Sequence, residues 1–211
     1  MEKYILFDID DTLLYTSENA YLKHSLICKH LWIKNTNKKE YFSYYWNKTI
    51  TEMAEILIPN LTIKEYLSLY EEAWKYITYK PIYQNLILIF KNLINKGYTI
   101  WILTNWTKEK TDKKIDKLGI RNYCKYIFYL ENITNKKPNP HAFDKLFSII
   151  DTNNSKIIYV WDSLEDYYAS VWNKITFYAV LTWFTKIDSF KKAWLNSKYI
   201  YSDINSLITI L

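Results

Sequence analysis

The chain has 211 residues, of which 49% are hydrophobic, and this composition excludes a disordered protein and allows one large domain or a domain with an insertion. The net charge is +6, but Arg121 is the single arginine and no dense basic run occurs, which disfavours a strong nucleic-acid footprint. Cys28 and Cys124 lack metal-ligand spacing, which argues against a disulfide scaffold or a zinc site.

The first predicted element is a buried strand. Residues 4–7 form a continuous apolar run, typical of a strand covered on both faces in a parallel sheet. Asp8 and Asp10 follow at its carboxyl end, where α/β sheets bind ligands, and two such close carboxylates favour a hard cation such as Mg²⁺ between them. Taken alone, the stretch could also be a solvated turn in which Asp11 or Thr12 caps a helix.

This early strand leaves no room for a charged leader followed by an apolar signal segment. No apolar run reaches membrane-spanning length either. These two observations predict a cytoplasmic protein with no membrane partner.

Residues 15–80 have helical periodicity throughout, with helices predicted over 17–33, 50–58 and 63–78. Thr49 with Glu52, and Thr62 with Glu65, fit the capping box that marks a helix start. The aromatic run over 41–46 is interpreted as the core of a small helical unit in preference to a base-stacking surface.

From residue 81 onward helices and strands alternate, which predicts a parallel sheet with helices on both faces. Gly97 and Gly119 each follow a helical pattern and suit the left-handed position after a helix. The predicted strands cover 98–103, 126–129, 157–161 and 176–181, and the predicted helices lie near 83–96, 108–118, 141–150 and 204–211.

Polar residues stand at the carboxyl ends of four predicted strands, and these ends meet at one edge of a parallel sheet. Carboxylates there could hold Mg²⁺, a hydroxyl could bind phosphoryl oxygens, and a lysine could neutralise charge during phosphoryl transfer. The residues are Asp8 and Asp10, then Thr104, then Lys137, then Asp162 and Asp166.

These clusters resemble the four motifs of the haloacid dehalogenase-like superfamily. The chain carries DIDDT at 8–12, LTN at 103–105, KPNP at 137–140 and DSLED at 162–166, in the order that the superfamily has them. The resemblance implies a Rossmann-like three-layer α/β/α core with a parallel sheet, formed by residues 1–14 and 81–211. It also implies an all-helical cap over residues 15–80, inserted between the first and second motifs.

The resemblance implies a Mg²⁺-dependent phosphomonoester hydrolase that acts on a small soluble phosphate compound through an aspartyl-phosphate intermediate. Asp8 would be the nucleophile and Asp10 the general acid and base. Mg²⁺ would be held by Asp8, the backbone carbonyl of Asp10, and Asp162, with Asp166 as a further ligand or a support.

The same resemblance assigns phosphate binding to Thr104, Asn105 and Lys137, with Lys136 as the alternative lysine. Specificity would come from cap residues such as Tyr15, His24 and Trp46. Taken singly, Asp166 could be merely a helix-start acid paired with Ser163.

Two tryptophans lie next to the motifs of the superfamily, and one of them departs from the usual motif. Trp161 occupies the position where the superfamily usually has glycine, and it either packs against a helix or narrows the site. Packing is favoured, because Trp161 and Asp162 should point to opposite faces of the strand. Trp106 is a candidate to overhang the pocket and shape substrate choice.

Other functions stay open. A phosphotransferase or mutase of the same fold would pass the phosphoryl group to an acceptor hydroxyl, and Trp161 keeps a catalytically weak phosphate-binding or regulatory protein in view. A nucleic-acid end phosphatase is disfavoured but not excluded. A dehalogenase is disfavoured because a displaced halide needs no general acid such as Asp10. The sequence does not determine the oligomeric state.

Overall fold

The computed structural model describes residues 1–45, 48–173, 175–182 and 185–211. The chain divides into compact units, one formed by Met1–Leu14 with Lys80–Leu211 and the other by Tyr15–Tyr79. We call them the α/β unit and the helical unit. Trp46, a candidate for substrate specificity, lies outside the described residues.

The α/β unit is built on a parallel sheet, and in the described residues its strand order is β3-β2-β1-β4-β5-β6. Ile5 in β1 lies opposite Ile100 in β2 and Ile158 in β4, so β1 has a neighbour on each side. The strands are β1 Glu2–Phe7, β2 Tyr98–Leu103, β3 Cys124–Phe128, β4 Ser155–Trp161, β5 Thr176–Val180 and β6 Ile200–Tyr201.

The five strands predicted from the sequence are confirmed, with ends that shift by up to two residues. The edge strand β6 was missed. Its two residues are too few to show the period-2 alternation that identifies a half-buried strand.

Strand β1 is covered on both faces, as its unbroken apolar sequence predicted. Leu6 belongs to the core cluster on one face, which also contains Tyr159 of β4. The Phe7 ring stacks on Phe90 at a centroid distance of 5.3 Å. Leu6 and Phe7 are both fully buried, so this strand is fixed firmly in the sheet and holds the residues that follow it.

The helices of the α/β unit flank the sheet. Gly97 and Gly119 have φ values of 83° and 68°, which confirms the predicted left-handed helix ends. The regular helix predicted over 141–150 was wrong, because Asn139 caps a tight 3₁₀ turn over Pro140–Phe143 that leaves four residues for an α-helix. The helices are α5 Leu86–Asn95, α6 Lys108–Leu118, α7 Asp144–Phe147, α8 Leu164–Val171, α9 Ile187–Lys192 and α10 Ile204–Ile208.

The helical unit contains α1 Thr16–His30, α2 Lys38–Tyr45, α3 Ile50–Leu57 and α4 Ile63–Glu72. Both predicted capping boxes are present, at the starts of α3 and α4. Tyr41 and Phe42 are buried and their rings contact Tyr21, which confirms the interpretation of these two aromatics as core. Within the described residues, no helix is long and apolar enough to cross a bilayer.

His24 is fully buried in the helical unit. Its Nε2 lies 2.9 Å from the Thr36 hydroxyl oxygen and 3.5 Å from Cys28 Sγ. Burial lowers the pKa of His24 to about 4, because the charged imidazolium loses its hydration there. This setting gives His24 a structural role inside the unit.

Candidate active site

The polar residues predicted from the sequence lie at the carboxyl edge of the sheet. Strand β1 stands between β2 and β4, so the order of the strands reverses there. Such a reversal opens a crevice beyond the strand ends, where ligands bind in α/β folds. Asp8 follows β1 and Asp162 follows β4, which places the two carboxylates on either side of this point.

Lys137 joins several of these residues. Its Nζ donates to the Leu103 carbonyl oxygen at 3.1 Å and to the Tyr159 hydroxyl at 2.9 Å. The same nitrogen lies 3.4 Å from Asp8 Oδ1 and 3.1 Å from Asp166 Oδ1. The Lys137 side chain is 1% exposed, so its charge acts in a poorly hydrated environment where ion pairs are strong.

Asn105 fixes the backbone that carries this lysine. Its side-chain Nδ2 donates to the Lys137 carbonyl at 3.0 Å, and its Oδ1 accepts from the Lys137 N–H at 2.9 Å. The neighbouring Lys136 is exposed, so the structure brings Lys137 and not Lys136 to Asp8. Asn105 therefore positions the loop, while its predicted contact with phosphate stays a prediction.

Asp8 is almost completely buried. Burial raises its pKa well above the usual range, the charges of Asp10 and Asp166 raise it further, and Lys137 opposes them. In the described part of the chain, Asp8 Oδ2 is buried and accepts no hydrogen bond. A cation at this oxygen would favour the ionised form of Asp8.

Asp162 is oriented by Thr12, whose hydroxyl donates to Asp162 Oδ1 at 3.0 Å. Burial raises the pKa of Asp162, and the nearby charges of Asp11 and Asp8 add to that effect. The first and fourth motifs are thus joined by a direct hydrogen bond. The sequence alone allows Thr12 to be a helix cap, whereas in the structure its hydroxyl makes this contact across the sheet edge.

Two hydroxyl groups hold the Asp166 carboxylate. The Tyr159 hydroxyl donates to its Oδ1 at 2.8 Å and the Ser163 hydroxyl donates to its Oδ2 at 2.8 Å. Ser163 also accepts from the Asp166 N–H as the N-cap of α8, so the helix-start pairing is present as well. With Lys137 Nζ 3.1 Å from its Oδ1, Asp166 is in position to support Lys137, while its role as a metal ligand stays a prediction.

Thr104 lies fully buried at the end of β2. Its backbone N–H donates to the Phe128 carbonyl, and its hydroxyl oxygen accepts from the Trp106 N–H at 3.2 Å. A hydroxyl both accepts and donates, so the Thr104 O–H retains a proton to offer a phosphoryl oxygen.

Asp10 forms an ion pair with Lys114, a residue that the sequence analysis did not single out. The Lys114 side chain is 5% exposed and comes from α6, where Thr111, Ile115 and Leu118 are the other buried residues. A lysine on the apolar face of an amphipathic helix could have indicated a buried charge with an acidic partner, since lysine is seldom buried without one.

Tyr159 is the second residue that was missed. Its hydroxyl links Lys137 to Asp166, but the residue lies within the unbroken apolar run of β4 and looks like ordinary core. Burial and the negative charge of Asp166 raise the pKa of Tyr159, which keeps its hydroxyl protonated as a donor. No sequence pattern distinguishes this tyrosine from a packing residue.

The donor set suits a hard divalent cation. The described residues contain no group of three His, Cys, Asp or Glu side chains arranged to enclose a metal ion. Mg²⁺ usually takes one or two carboxylates and completes its shell with water and substrate phosphate. Asp8, with its buried Oδ2, and Asp162 offer two such side chains. Burial raises the pKa of both, and a bound cation would favour their ionised forms, so these residues fit Mg²⁺.

The parallel α/β fold with this polar edge matches a known family of enzymes. The model of the family described as haloacid dehalogenase-like hydrolase matches residues 5–180. The chain belongs to the haloacid dehalogenase-like hydrolase family, as its four motifs indicated.

Two curated relatives are similar over most of their length. A phosphoglycolate phosphatase of Aquifex aeolicus is 23% identical over 168 residues, covering 77% of this chain and 76% of the relative. The pyrophosphatase PpaX of Bacillus pumilus is 20% identical over 165 residues, covering 77% and 75%.

Solved structures support the fold over the whole chain. A haloacid dehalogenase-superfamily hydrolase of subfamily IA from Geobacter sulfurreducens has a TM-score of 0.76 at 16% identity, covering 100% of this chain and 96% of that one. The magnesium-bound structure of YfnB from Bacillus subtilis has a TM-score of 0.73 at 16% identity, covering 100% and 98%.

Proposed function

We propose that the protein is a Mg²⁺-dependent phosphomonoester hydrolase that acts on a small soluble phosphate compound through an aspartyl-phosphate at Asp8. The observation that carries this proposal is the buried contact of Lys137 with Asp8 and Asp166 at the switch point of the sheet. The Lys137 ammonium beside the proposed nucleophile Asp8 can neutralise charge on the oxygens of a phosphoryl group that approaches Asp8. The names of the curated relatives support a phosphate substrate.

In the first step, an Asp8 carboxylate oxygen attacks phosphorus and the bond from phosphorus to the leaving oxygen breaks. Asp10 donates its proton to that leaving oxygen, which departs as an alcohol. Lys137 and the Thr104 hydroxyl bind the transferred phosphoryl oxygens. The products of this step are the alcohol and an aspartyl-phosphate.

In the second step, Asp10 removes a proton from water as the water oxygen attacks phosphorus. The bond between phosphorus and Asp8 breaks, inorganic phosphate leaves, and the Asp8 carboxylate is restored. Asp10 regains the proton that it gave in the first step. The cycle balances with one water consumed for each phosphate ester cleaved.

Asp8, the backbone carbonyl of Asp10, and Asp162 would hold Mg²⁺. The ion would supply positive charge beside the substrate phosphate and would favour the ionised form of the carboxylates that hold it. Asp166 would support the site through Lys137. The position of Asp8, Asp162 and Lys137 at the same strand edge supports this proposal.

The names of the relatives define the first substrates to test. Phosphoglycolate and pyrophosphate are small anions that carry a second charged group beside the reacting phosphate. A panel of these two compounds, sugar phosphates and nucleotides would identify the substrate class. Adding alcohols or sugars as acceptors would reveal a phosphotransferase as a loss of released phosphate relative to substrate consumed.

The function is tested with an aryl phosphate in the presence and absence of Mg²⁺. We expect wild-type protein to release phosphate with Mg²⁺ and Asp8→Asn to lose this activity. Asp188→Asn changes an exposed acid outside the site and is the matched control. Wild-type protein that binds Mg²⁺ yet hydrolyses no member of the panel would contradict the proposal.

A further inference from the structure

Trp161, which stands where the superfamily usually has glycine, lies directly against Lys137 of the proposed site. Trp161 is the last residue of β4, and Lys137 Nζ lies 3.1 Å from the centroid of its indole ring. Tyr159, two residues earlier on the same strand, hydrogen bonds the same nitrogen. The Lys137 ammonium is therefore held by an aromatic face together with its oxygen acceptors.

The alternation of β4 explains how both residues reach this nitrogen. Residues two apart on a strand project from the same face. The Tyr159 and Trp161 rings contact each other edge to face at a centroid distance of 5.7 Å, and both pack with the same apolar cluster. Trp161 packs against this apolar cluster, and its ring also contacts the Lys137 ammonium of the proposed site. Its predicted packing against a helix stays a prediction.

The energetic consequence follows from the charge distribution of the indole ring. The face of an aromatic ring is negative and attracts a cation, and this attraction is stronger where both groups have lost water. A glycine would leave that side of the ammonium uncovered. The ring covers one side of Nζ, and on its other sides the nitrogen donates to the Leu103 carbonyl, the Tyr159 hydroxyl and Asp8 Oδ1 and pairs with Asp166.

We propose that Trp161 is a positioning residue that holds the Lys137 ammonium toward Asp8 and the phosphate bound there. This inference rests on the proposed function for its catalytic consequence. It assigns a purpose to the residue that most clearly separates this chain from the family pattern. Trp161 acts through Lys137 and does not itself touch the reacting atoms.

The first experiment compares side chains that keep or remove the aromatic face. Trp161→Phe retains a ring, whereas Trp161→Leu is apolar and lacks one. We expect Trp161→Leu to weaken inhibition by inorganic phosphate and to lower kcat/KM for an aryl phosphate by about tenfold, and Trp161→Phe to retain most of both. Trp172→Leu, at an exposed tryptophan of the same unit, is the matched control.

The second experiment does not depend on turnover. A double-mutant cycle combines Trp161→Leu with Lys137→Met and measures the equilibrium constant for unfolding in urea. We expect the effect of Trp161→Leu to shrink severalfold when Lys137 is absent, because the contact that it removes is already lost. If Lys137→Met fails to fold, the comparison of Trp161→Phe with Trp161→Leu still tests whether the aromatic ring positions Lys137.

Equal behaviour of Trp161→Phe and Trp161→Leu in both phosphate inhibition and stability would overturn the inference. Independent effects of Trp161 and Lys137 in the cycle would overturn it as well. If the effects of Trp161→Leu and Lys137→Met on stability are coupled but the wild-type protein has no phosphatase activity, the contact is upheld and the proposed function is refuted.

Discussion

Lys114 and Asp10 form an ion pair between α6 and the turn that follows β1. Lys114 Nζ also lies 4.9 Å from the ring centroid of Trp106, whose backbone N–H donates to the Thr104 hydroxyl. The proposed general acid is thereby linked through Trp106 to the proposed phosphate-binding threonine. A charged partner fixes the direction of the Asp10 carboxylate, because a buried ammonium holds its acceptor strongly.

We expect Lys114→Met to lower kcat by roughly tenfold to a hundredfold for an alkyl phosphate, a part of what general acid–base catalysis contributes. The reason is that Asp10 loses its ion pair with Lys114. A nitrophenyl phosphate should be affected less, since its leaving oxygen needs little protonation. The measurement is kcat and KM for both substrates.

The matched control is Lys113→Met, which removes an exposed lysine of the same helix. Lys114→Arg should restore much of the activity by supplying a cation. Equal kinetics of Lys113→Met and Lys114→Met would refute a positioning role for Lys114.

Tyr159→Phe removes the hydroxyl that links Lys137 with Asp166. We expect a loss of about 1–3 kcal/mol in the free energy of unfolding, because Asp166 Oδ1 loses a buried hydrogen-bond donor. Denaturant unfolding measures this loss, and Tyr168→Phe, at an exposed tyrosine, is the control. A stability equal to that of the control would show that the hydroxyl contributes nothing there.

Mg²⁺ should stabilise the folded protein as well as activate it. An ion present at a hundred times its dissociation constant stabilises by about 2.7 kcal/mol, and the resulting rise in Tm is measurable by calorimetry. We expect Asp162→Asn to lose most of this rise and a chelator to abolish wild-type activity until Mg²⁺ is restored. Activity that survives thorough chelation would contradict the metal assignment.

His24 should make the helical unit sensitive to acid. Its pKa falls from 6.5 in the unfolded chain to about 4 in the folded one, so the unfolded state binds more protons between these values. The stability that this residue contributes is therefore present above the unfolded pKa and is lost as pH falls through this window. The loss is roughly 2–4 kcal/mol.

Urea unfolding at about pH 7.5 and about pH 4.5 measures the effect. We expect His24→Gln to flatten the decline, because glutamine does not titrate and can still bond Thr36. His30→Gln removes an exposed imidazole and serves as the control. A decline that is unchanged in His24→Gln would refute the assignment.

The fold was largely readable because its signals are local. The buried run before Asp8, the glycines at 97 and 119, and the capping boxes at Thr49 and Thr62 each follow from the preference of a few neighbouring residues. The strand ends then placed the motifs at a common edge. The two-residue β6 and the 3₁₀ turn before α7 escaped because short irregular segments have no periodicity.

The site was predictable in its motif residues and not in the contacts between them. The residue that orients Asp10 is determined by the packing of α6. The sequence could therefore mark Lys114 as unusual but could not identify Asp10 as its partner. Tyr159 reads as core until its hydroxyl is located, and Asn105 reads as a ligand until its bonds to the Lys137 backbone are known. These contacts depend on three-dimensional packing, which a linear pattern does not encode.

The central claim is covalent catalysis at Asp8, and trapping the intermediate tests it most directly. The protein is mixed with a phosphate substrate and Mg²⁺, quenched in acid within the first turnover, and reduced with borohydride, which converts an acyl phosphate to an alcohol. Peptide mass spectrometry should locate the reduced product, homoserine, at position 8 in wild-type protein and find none in Asp8→Asn. Rapid turnover without a modified Asp8, or a modification at another carboxylate, would contradict the account.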